Sequence, residues 1–317
     1  MKPNNIIELI TSFLKYNFLK KSDLEKLKKS DKAKNKKYLN IFENSLYTKI
    51  VHECDKDIKF ENSDIRELSL LRSDGFVKLE NFKFEFDRAY YQKILDDRNL
   101  STYDQIGVSS VNDASKHFKD LSQILESQYV NNLCKSYLGD DVTINHIRVE
   151  RLEKKLSRKD VSGLYHHDQV GHRLKILVLL DDLDITGRCT SYVVGSHKNS
   201  WKSFDYNYSR YDEKEIENKF KISKFNGKKG DEFIFDTNGL HKRDENQEKL
   251  SRAVIFFDIA SHKKCEAIKN ILPDKIPHPF PIGYYREQFF FKDLNINKTL
   301  INKNKLSLED GFYKYSP

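Results

Sequence analysis

The sequence predicts a mainly β protein with flanking helices, whose core is a cupin-like double-stranded β-helix, also called a jelly roll. Short apolar runs alternate with turns across residues 141–260, a spacing that is typical of antiparallel sandwiches and barrels. The turns are rich in Asp, Asn and Gly, as in Asp236-Thr237-Asn238-Gly239. We expect strands at 141–149, 174–180, 189–194, 232–235 and 250–257.

Three segments are expected along the chain. The first is a helical, basic extension packed on the core, because apolar residues recur there at helical spacing. The second is the core, in which Gly75 marks the entry to the first strand and helices are expected at 89–95 and 114–138. The third is an irregular tail packed on the core, since it is rich in aromatic residues and in prolines, which break regular structure. These segments are 1–69, 70–260 and 261–317.

The composition favours a folded protein without a membrane span or a nucleic-acid partner. With 38% hydrophobic and 12% aromatic residues, the 317-residue chain can bury a sizeable core. The formal net charge of +8 lies in the two flanks, because acidic and basic residues balance across 71–260, and no recognised nucleic-acid motif accompanies it. No run approaches the roughly 18–20 consecutive apolar residues of a transmembrane helix. The four cysteines are widely separated, which favours reduced thiols, and we expect a cytoplasmic location.

Two short motifs carry side chains that could bind a metal ion. His166 and Asp168 are separated by one residue, so in an extended chain they project to the same face while His167 points away. Together with the distant His241, they make up the ligand set of a mononuclear non-haem Fe(II) oxygenase. Such a set leaves positions on the metal open for a 2-oxo acid and dioxygen. A surface histidine beside a turn is the alternative interpretation of His241.

The order of these motifs resembles that of the phytanoyl-CoA dioxygenase family, which belongs to the Fe(II)/2-oxoglutarate-dependent oxygenases. The resemblance covers residues 70–260 and rests on Leu71-Arg72-Ser73-Asp74-Gly75-Phe76-Val77, His166-x-Asp168, Lys175, Asp181-Asp182, Gly187, Gly195-Ser196-His197, Gly230-Asp231, Phe235-Asp236, Gly239-Leu240-His241 and Arg252. It implies a double-stranded β-helix that uses Fe(II), 2-oxoglutarate and O2. Because family relatives that halogenate lack the carboxylate ligand, the presence of Asp168 implies hydroxylation, with succinate and CO2 as co-products.

The resemblance also assigns residues to the cosubstrate. Arg252 lies in an apolar run, where a buried charge needs an anionic partner. The family's cosubstrate arginine occupies this position, so the far carboxylate of 2-oxoglutarate would be that partner, and an internal Asp or Glu is the alternative. Lys175, Arg148 and His172 are expected to line the same pocket.

Two positions depart from the family pattern. Gly187-Arg188 stands where a Gly-Pro pair is usual, which is expected to reshape a turn. Arg243 stands two places after the distal histidine, where a small hydroxylated residue is frequent. One hydrogen bond to the cosubstrate is therefore in question.

The expected partner is a small organic substrate of anionic character. Five basic residues just ahead of the first ligand motif would form a positive rim at the mouth of the barrel, and a solvated loop is the alternative. They are Arg151, Lys154, Lys155, Arg158 and Lys159. Two other functions stay open: a cupin-like metal enzyme that does not use 2-oxoglutarate, which has no need for Arg252, and a non-catalytic jelly-roll binding protein, which has no need for three convergent ligands. The sequence predicts no oligomeric state.

Overall fold

The computed structural model describes residues 46–80, 82–103, 108–111, 114–152, 163–168, 171–198, 211, 213–244, 252–271, 289–290, 306–309 and 312–315. The helices expected before residue 46 lie outside these described residues. The same holds for Lys154, Lys155, Arg158 and Lys159 of the expected basic rim.

Helices precede and interrupt a series of strands. The helices are α1 Leu46–Asp55, α2 Arg66–Asp74, α3 Arg88–Asp96, α4 Ala114–His117, α5 Ser122–Leu125, α6 Gln128–Leu138, α7 Glu213–Lys219 and α8 His262–Ile271, with short 3-10 turns at Lys119–Leu121 and Ser196–Lys198. The strands are β1 Phe76–Leu79, β2 Ser101–Tyr103, β3 Val108–Val111, β4 Val142–Leu152, β5 Leu174–Leu179, β6 Thr190–Val193, β7 Ile222–Phe225, β8 Glu232–Asp236, β9 His241–Arg243, β10 Arg252–Ser261, β11 Phe289–Phe290, β12 Leu306–Glu309 and β13 Phe312–Tyr315. Of the helices that the structure describes, none has the length and apolar character needed to cross a bilayer.

Two antiparallel sheets build the core. The larger has the strand order β1-β8-β5-β10-β4-β3-β2, with β11 pairing on β4, and the smaller has the order β7-β6-β9. Strand β10 lies at the centre, paired with β4 on one side and β5 on the other. Every residue of β10 is buried, as its apolar sequence requires for a strand covered on both faces. Strands β12 and β13 form a separate hairpin.

The large sheet separates two apolar layers, because side chains alternate along each strand. Toward the small sheet it presents Leu177, Phe233, Phe235, Val254 and Phe256, which pack against Tyr192 and Phe225. Toward the helices it presents Val77, Ile176, Val178, Ile234 and Ile255, which pack with residues of α2, α3 and α6. The first layer is the interior of the barrel, and the second joins the barrel to its helical support.

The turn from α2 into β1 depends on Gly75. This residue closes α2 with φ 89° and donates its backbone N–H to the carbonyl of Leu71, a left-handed cap that glycine adopts at little cost. A Cβ atom at this position would also run into the side chains of His197 and Tyr192. The prediction that Gly75 introduces the first strand is therefore confirmed.

The helix expected over 114–138 is divided. The structure has α4, a 3-10 turn, α5 and then α6 in this region. The hydroxyl of Ser127 accepts a hydrogen bond from the backbone N–H of Val130 at 3.3 Å, so Ser127 starts a new helix instead of continuing the previous one. Serine favours such capping positions over helix interiors because its hydroxyl competes for backbone donors.

The tail begins with a helix, whereas the sequence predicted irregular structure from residue 261. Helix α8 follows β10 directly and ends at Ile271. The first proline of the tail is Pro273, so the prolines lie beyond the helix and do not interrupt it. Lys264 of α8 is fully buried and forms an ion pair with Asp55 of α1, which ties the two helices together.

Candidate metal centre

The two ligand motifs meet as neighbouring extended segments. His166 and His241 are directly paired through two backbone hydrogen bonds, of 2.9 Å from His166 N–H to His241 and 2.8 Å in return. Directly paired residues project their side chains to the same face. The backbone N–H of Asp168 donates to the carbonyl of Thr237 at 3.0 Å, which holds the third residue beside the turn before β9.

The three side chains converge as the sequence predicts. Asp168 Oδ1 lies 3.6 Å from His166 Nε2 and 3.4 Å from His241 Nε2. The three atoms all lie within 4.8 Å of one another, a spacing that could hold a metal ion. His167 is buried but does not belong to this group, in agreement with the expected alternation of side chains.

Backbone carbonyls orient both imidazoles toward the shared space. His166 Nδ1 lies 2.7 Å from the carbonyl oxygen of Leu164, and His241 Nδ1 lies 2.9 Å from that of Gly239. A carbonyl oxygen only accepts hydrogen bonds, so Nδ1 of each ring carries the proton. The Nε2 lone pairs are then available for a cation, which is the usual arrangement of metal-binding histidines.

Two cations hold the outer oxygen of Asp168. Lys175 Nζ donates to Asp168 Oδ2 at 2.7 Å, and Arg173 Nη2 donates to the same oxygen at 3.0 Å. Burial alone would raise the pKa of Asp168, but the positive charge of Lys175 holds that pKa well below its ordinary value. Asp168 is therefore an anion that presents Oδ1 alone to the two histidines.

The sequence did not point to Arg173. It is almost completely buried, and together with Lys175 it also contacts Asp258 of β10, at 3.4 and 3.6 Å. A basic residue two places before Lys175 shares its strand face, and this spacing was the available signal. Asp258 is the counter-anion that lets two cations lie beside a single ligand carboxylate.

Arg252 lies inside the barrel, as expected, but its surroundings include protein acceptors. Its Nη1 donates to the carbonyl of Arg188 and to Thr190 Oγ1, both at 3.1 Å. Its Nη2 lies 4.0 Å from Glu150 Oε1, and its Nε has no hydrogen-bond partner among the described residues. Burial lowers the pKa of Arg252 to about 10, an effect that Glu150 opposes and Arg243 increases. One edge of the guanidinium is therefore satisfied and the other is not.

Arg148 and Lys175 lie near this arginine on the interior face. Arg148 pairs with Glu150 at 3.0 Å. The two basic groups lie over the ring of Phe256: the distance to the ring centroid is 5.6 Å from Arg148 Cζ and 5.3 Å from Lys175 Nζ. Both therefore project to the interior face of the large sheet, Lys175 beside Asp168 and Arg148 beside Glu150, and the side chain of Arg148 is 42% exposed.

His172 turns away from the metal ligands. Its Nδ1 lies 2.5 Å from Asp236 Oδ2, which also accepts a 2.6 Å hydrogen bond from Tyr137 of α6. Although burial works in the opposite direction, His172 lowers the pKa of Asp236 to about 2. Because His172 precedes Arg173 by one residue, it projects to the opposite face, toward the helices. His172 therefore contacts Asp236 on the helix-facing side and does not face the interior pocket that the sequence predicted for it.

No protein-family model and no curated protein matches the sequence. Among solved structures, iron-bound EctD from S. alaskensis is 19% identical, with a TM-score of 0.51 over 63% of this chain and 77% of that chain. The epimerase SnoN, solved with Fe3+, alpha ketoglutarate and nogalamycin RO, is 19% identical, with a TM-score of 0.48 over 68% and 92%. HygX from Streptomyces hygroscopicus, solved with nickel and 2-oxoglutarate, is 14% identical, with a TM-score of 0.47 over 63% and 88%. The predicted fold class is confirmed by the facing antiparallel sheets and by the likeness to EctD: the chain has a cupin-like jelly-roll core.

Proposed function

We propose that the chain is an Fe(II)- and 2-oxoglutarate-dependent dioxygenase that hydroxylates a small organic substrate, with succinate and CO2 as co-products. One observation carries the proposal: two imidazole nitrogens and one carboxylate oxygen converge within 4.8 Å inside a jelly roll. The resemblance of the motifs to the phytanoyl-CoA dioxygenase family supports the same function. So does the likeness to EctD, which has been solved with bound Fe.

The donor set fits Fe(II). Two neutral histidines and one carboxylate are the facial ligands of non-haem iron oxygenases, and they leave coordination positions for other molecules. His166, Asp168 and His241 would hold the iron, which when bound supplies the activation of dioxygen. Lys175 and Arg173 occupy Asp168 Oδ2 and would keep the carboxylate a single-oxygen ligand.

The incompletely satisfied arginine fits the cosubstrate. Nε of Arg252 has no hydrogen-bond partner among the described residues, and Nη2 is 4.0 Å from Glu150 Oε1. These two groups form one edge of the planar guanidinium, the edge that binds a carboxylate through two parallel hydrogen bonds. The far carboxylate of 2-oxoglutarate would complete it, with Lys175 and Arg148 adding positive charge along the interior.

The barrel wall around the ligands is aromatic. The ring of Phe235 meets that of His241 edge-on at 5.4 Å, and Tyr192 lies parallel to His241 at 6.4 Å. Both aromatic residues are buried, so they would exclude water from this side of the centre. A dry site favours the chemistry of a reactive oxidant over its loss to solvent.

The metal ligands are tested by the weak visible band that Fe(II) and 2-oxoglutarate form without oxygen in this class of site. His241→Ala should abolish the band, because it removes one of three ligands. His167→Ala is the matched control, since His167 is a buried neighbour outside the ligand group, and this variant should keep the band. Thermal melting checks that both variants are folded. An unchanged band in His241→Ala contradicts the proposal.

An anionic substrate is part of the proposal, although Arg151 does not support it. This residue is buried and pairs with Asp96 at 2.8 Å, so it is a structural arginine. The proposal of a positive rim therefore rests on the sequence positions of the other four basic residues, Lys154, Lys155, Arg158 and Lys159. If they attract an anion, kcat/KM for the true substrate falls with added salt, and the dependence weakens when all four are replaced by Gln. A salt dependence that stays the same in this variant would contradict the rim.

A second candidate is a cupin-like metal enzyme that does not use 2-oxoglutarate. The observation that favours it is Glu150, an internal carboxylate beside Arg252. If Glu150 and the acceptors Arg188 and Thr190 are all that Arg252 requires, the arginine is structural. Binding of 2-oxoglutarate to Arg252 variants decides between the two functions.

A further inference from the structure

A carboxylate already occupies the basic end of the barrel interior. Glu150 is buried on β4, directly opposite Val254 of β10, and therefore faces inward. Three arginines lie near it: Arg148, Arg252 and Arg243. Burial raises the pKa of Glu150, but the positive charges of these arginines, that of Arg148 most strongly, hold it below its ordinary value. The pocket thus contains a built-in anion among arginines that would bind a ligand's carboxylate.

The distances show that Glu150 is shared unequally. Its carboxylate is 3.0 Å from Arg148 Nη2 but 4.0 Å from Arg252 Nη2. The first is a hydrogen-bonding distance and the second is not. Glu150 thus neutralises Arg252 through space without satisfying its donors, which leaves the Nε of Arg252 with no acceptor among the described residues.

A third arginine lies near Arg252 and Glu150. Arg243 lies on β9 and is buried. It is paired with Thr190 of the neighbouring strand β6, the residue that accepts a hydrogen bond from Arg252. Arg243 therefore adds a third positive charge near Glu150, and like Arg148 and Arg252 it favours the charged form of this carboxylate.

We propose that Glu150 is an internal competitor for the distal carboxylate of the cosubstrate, and that it sets how strongly and how selectively the pocket binds a dicarboxylic 2-oxo acid. The inference rests on the proposed function. An incoming carboxylate binds the free edge of Arg252 while Glu150 stays with Arg148. The two anions then lie close together in a buried space, and their repulsion weakens binding.

Removing this charge should tighten binding of 2-oxoglutarate. Glu150→Gln keeps the shape of the side chain and loses the repulsion, which for neighbouring charges amounts to at least about a tenfold change in Kd. Binding is measured by calorimetry on Mn(II)-loaded protein, so that no turnover is required. The second ligand is 2-oxobutanoate, a 2-oxo acid without the distal carboxylate, for which the change should be less than about threefold.

Three further variants make the test specific. Glu150→Ala should tighten binding in the same way and replaces the Gln variant if that variant does not fold. Glu150→Asp keeps the charge and should bind 2-oxoglutarate within about threefold of wild type. Glu232→Gln is the control for the Glu-to-Gln substitution itself, because Glu232 is a second buried glutamate of the barrel wall but lies on the helix-facing side, away from Arg252. This variant should leave both affinities unchanged.

The results distinguish a failure of the role proposed for Glu150 from a failure of the proposed 2-oxoglutarate-dependent function. If wild type and Glu150→Gln bind 2-oxoglutarate with equal affinity, or if the change is the same for 2-oxobutanoate, Glu150 is no competitor and the inference is overturned. Weaker binding in Glu150→Gln also overturns it, since Glu150 would then position Arg252. If no variant and no wild-type protein binds 2-oxoglutarate, the proposed function fails along with the inference.

Discussion

Replacing Arg252 with Leu should weaken binding of 2-oxoglutarate by about a hundredfold or more while the metal content stays at the wild-type level. Loss of one partner of a buried charge pair costs about 3–5 kcal/mol, which corresponds to that change in affinity. The guanidinium donates through Nη1 to the carbonyl of Arg188 and to Thr190, and its Nε has no acceptor in the part of the chain that the structure describes. Calorimetry with 2-oxoglutarate measures the affinity, and metal analysis of the same sample measures the iron site.

Arg252→Lys is the matched control for this experiment. It keeps the positive charge and loses the planar fork, so its affinity should lie between those of wild type and the Leu variant. If Arg252→Leu binds 2-oxoglutarate as wild type does, the arginine serves only its internal partners. The cupin-like enzyme that does not use 2-oxoglutarate would then be the better description.

Glu232→Gln should stabilise the protein at alkaline pH. Glu232 lies on β8 with Ile234 and Asp236 on the face toward the helices, opposite to the inward-facing Phe233 and Phe235. It is fully buried, and neither of its carboxylate oxygens has a hydrogen-bond partner among the described residues. Burial raises the pKa of Glu232 from 4.5 to about 8.

The direction of the pH effect follows from which state holds the proton more tightly. The folded state keeps Glu232 protonated up to about pH 8, whereas the unfolded chain releases the proton near 4.5. Below 4.5 both states are protonated and the residue adds no penalty. Stability then falls as the pH rises through this window and reaches its full loss above pH 8, at most about 5 kcal/mol.

Urea unfolding at pH 5, 7 and 9 measures this effect. At pH 5 wild type and Glu232→Gln should agree within about 1 kcal/mol, because the protonated acid and the amide are similar in size and both are neutral. At pH 9 the variant should be more stable by about 2–5 kcal/mol. Glu53→Gln is the control, since Glu53 is exposed and pairs with Lys56 on the surface, and it should follow wild type at every pH. Parallel stability profiles for wild type and Glu232→Gln would show that Glu232 is solvated or paired.

The sequence was sufficient for the strand pattern and for the shared face of His166 and Asp168, and the reason is local. Side chains alternate along an extended chain, so His166 and Asp168 had to share a face wherever that segment lay. Apolar runs long enough to be covered on both faces identified β5 and β10, and the turn before His241 delivered the third ligand. The alternation, the apolar runs and the turn each depend on residues within a few positions of one another. The meeting of His241 with His166 depends instead on the pairing of two distant segments. The division of the helix at Ser127 was also local, but a serine is compatible with either a helix interior or a cap.

The partners of the buried charges were decided by the tertiary structure alone. The pairing of β10 with both β4 and β5 brings Glu150 opposite Val254 and Asp258 opposite Lys175. That register is set by contacts between residues far apart in the chain, which no local pattern encodes. It determines that Asp258 neutralises Arg173 and Lys175 and that Glu150 lies beside Arg252. The pairing of β5 with β8 likewise places Asp236 opposite Leu174, within reach of His172. A charged residue in an apolar run shows from the sequence alone that it needs a partner. Only the packing of distant strands shows which residue that partner is, because any anion or hydrogen-bonding group that the fold brings within reach can offset the cost of burial.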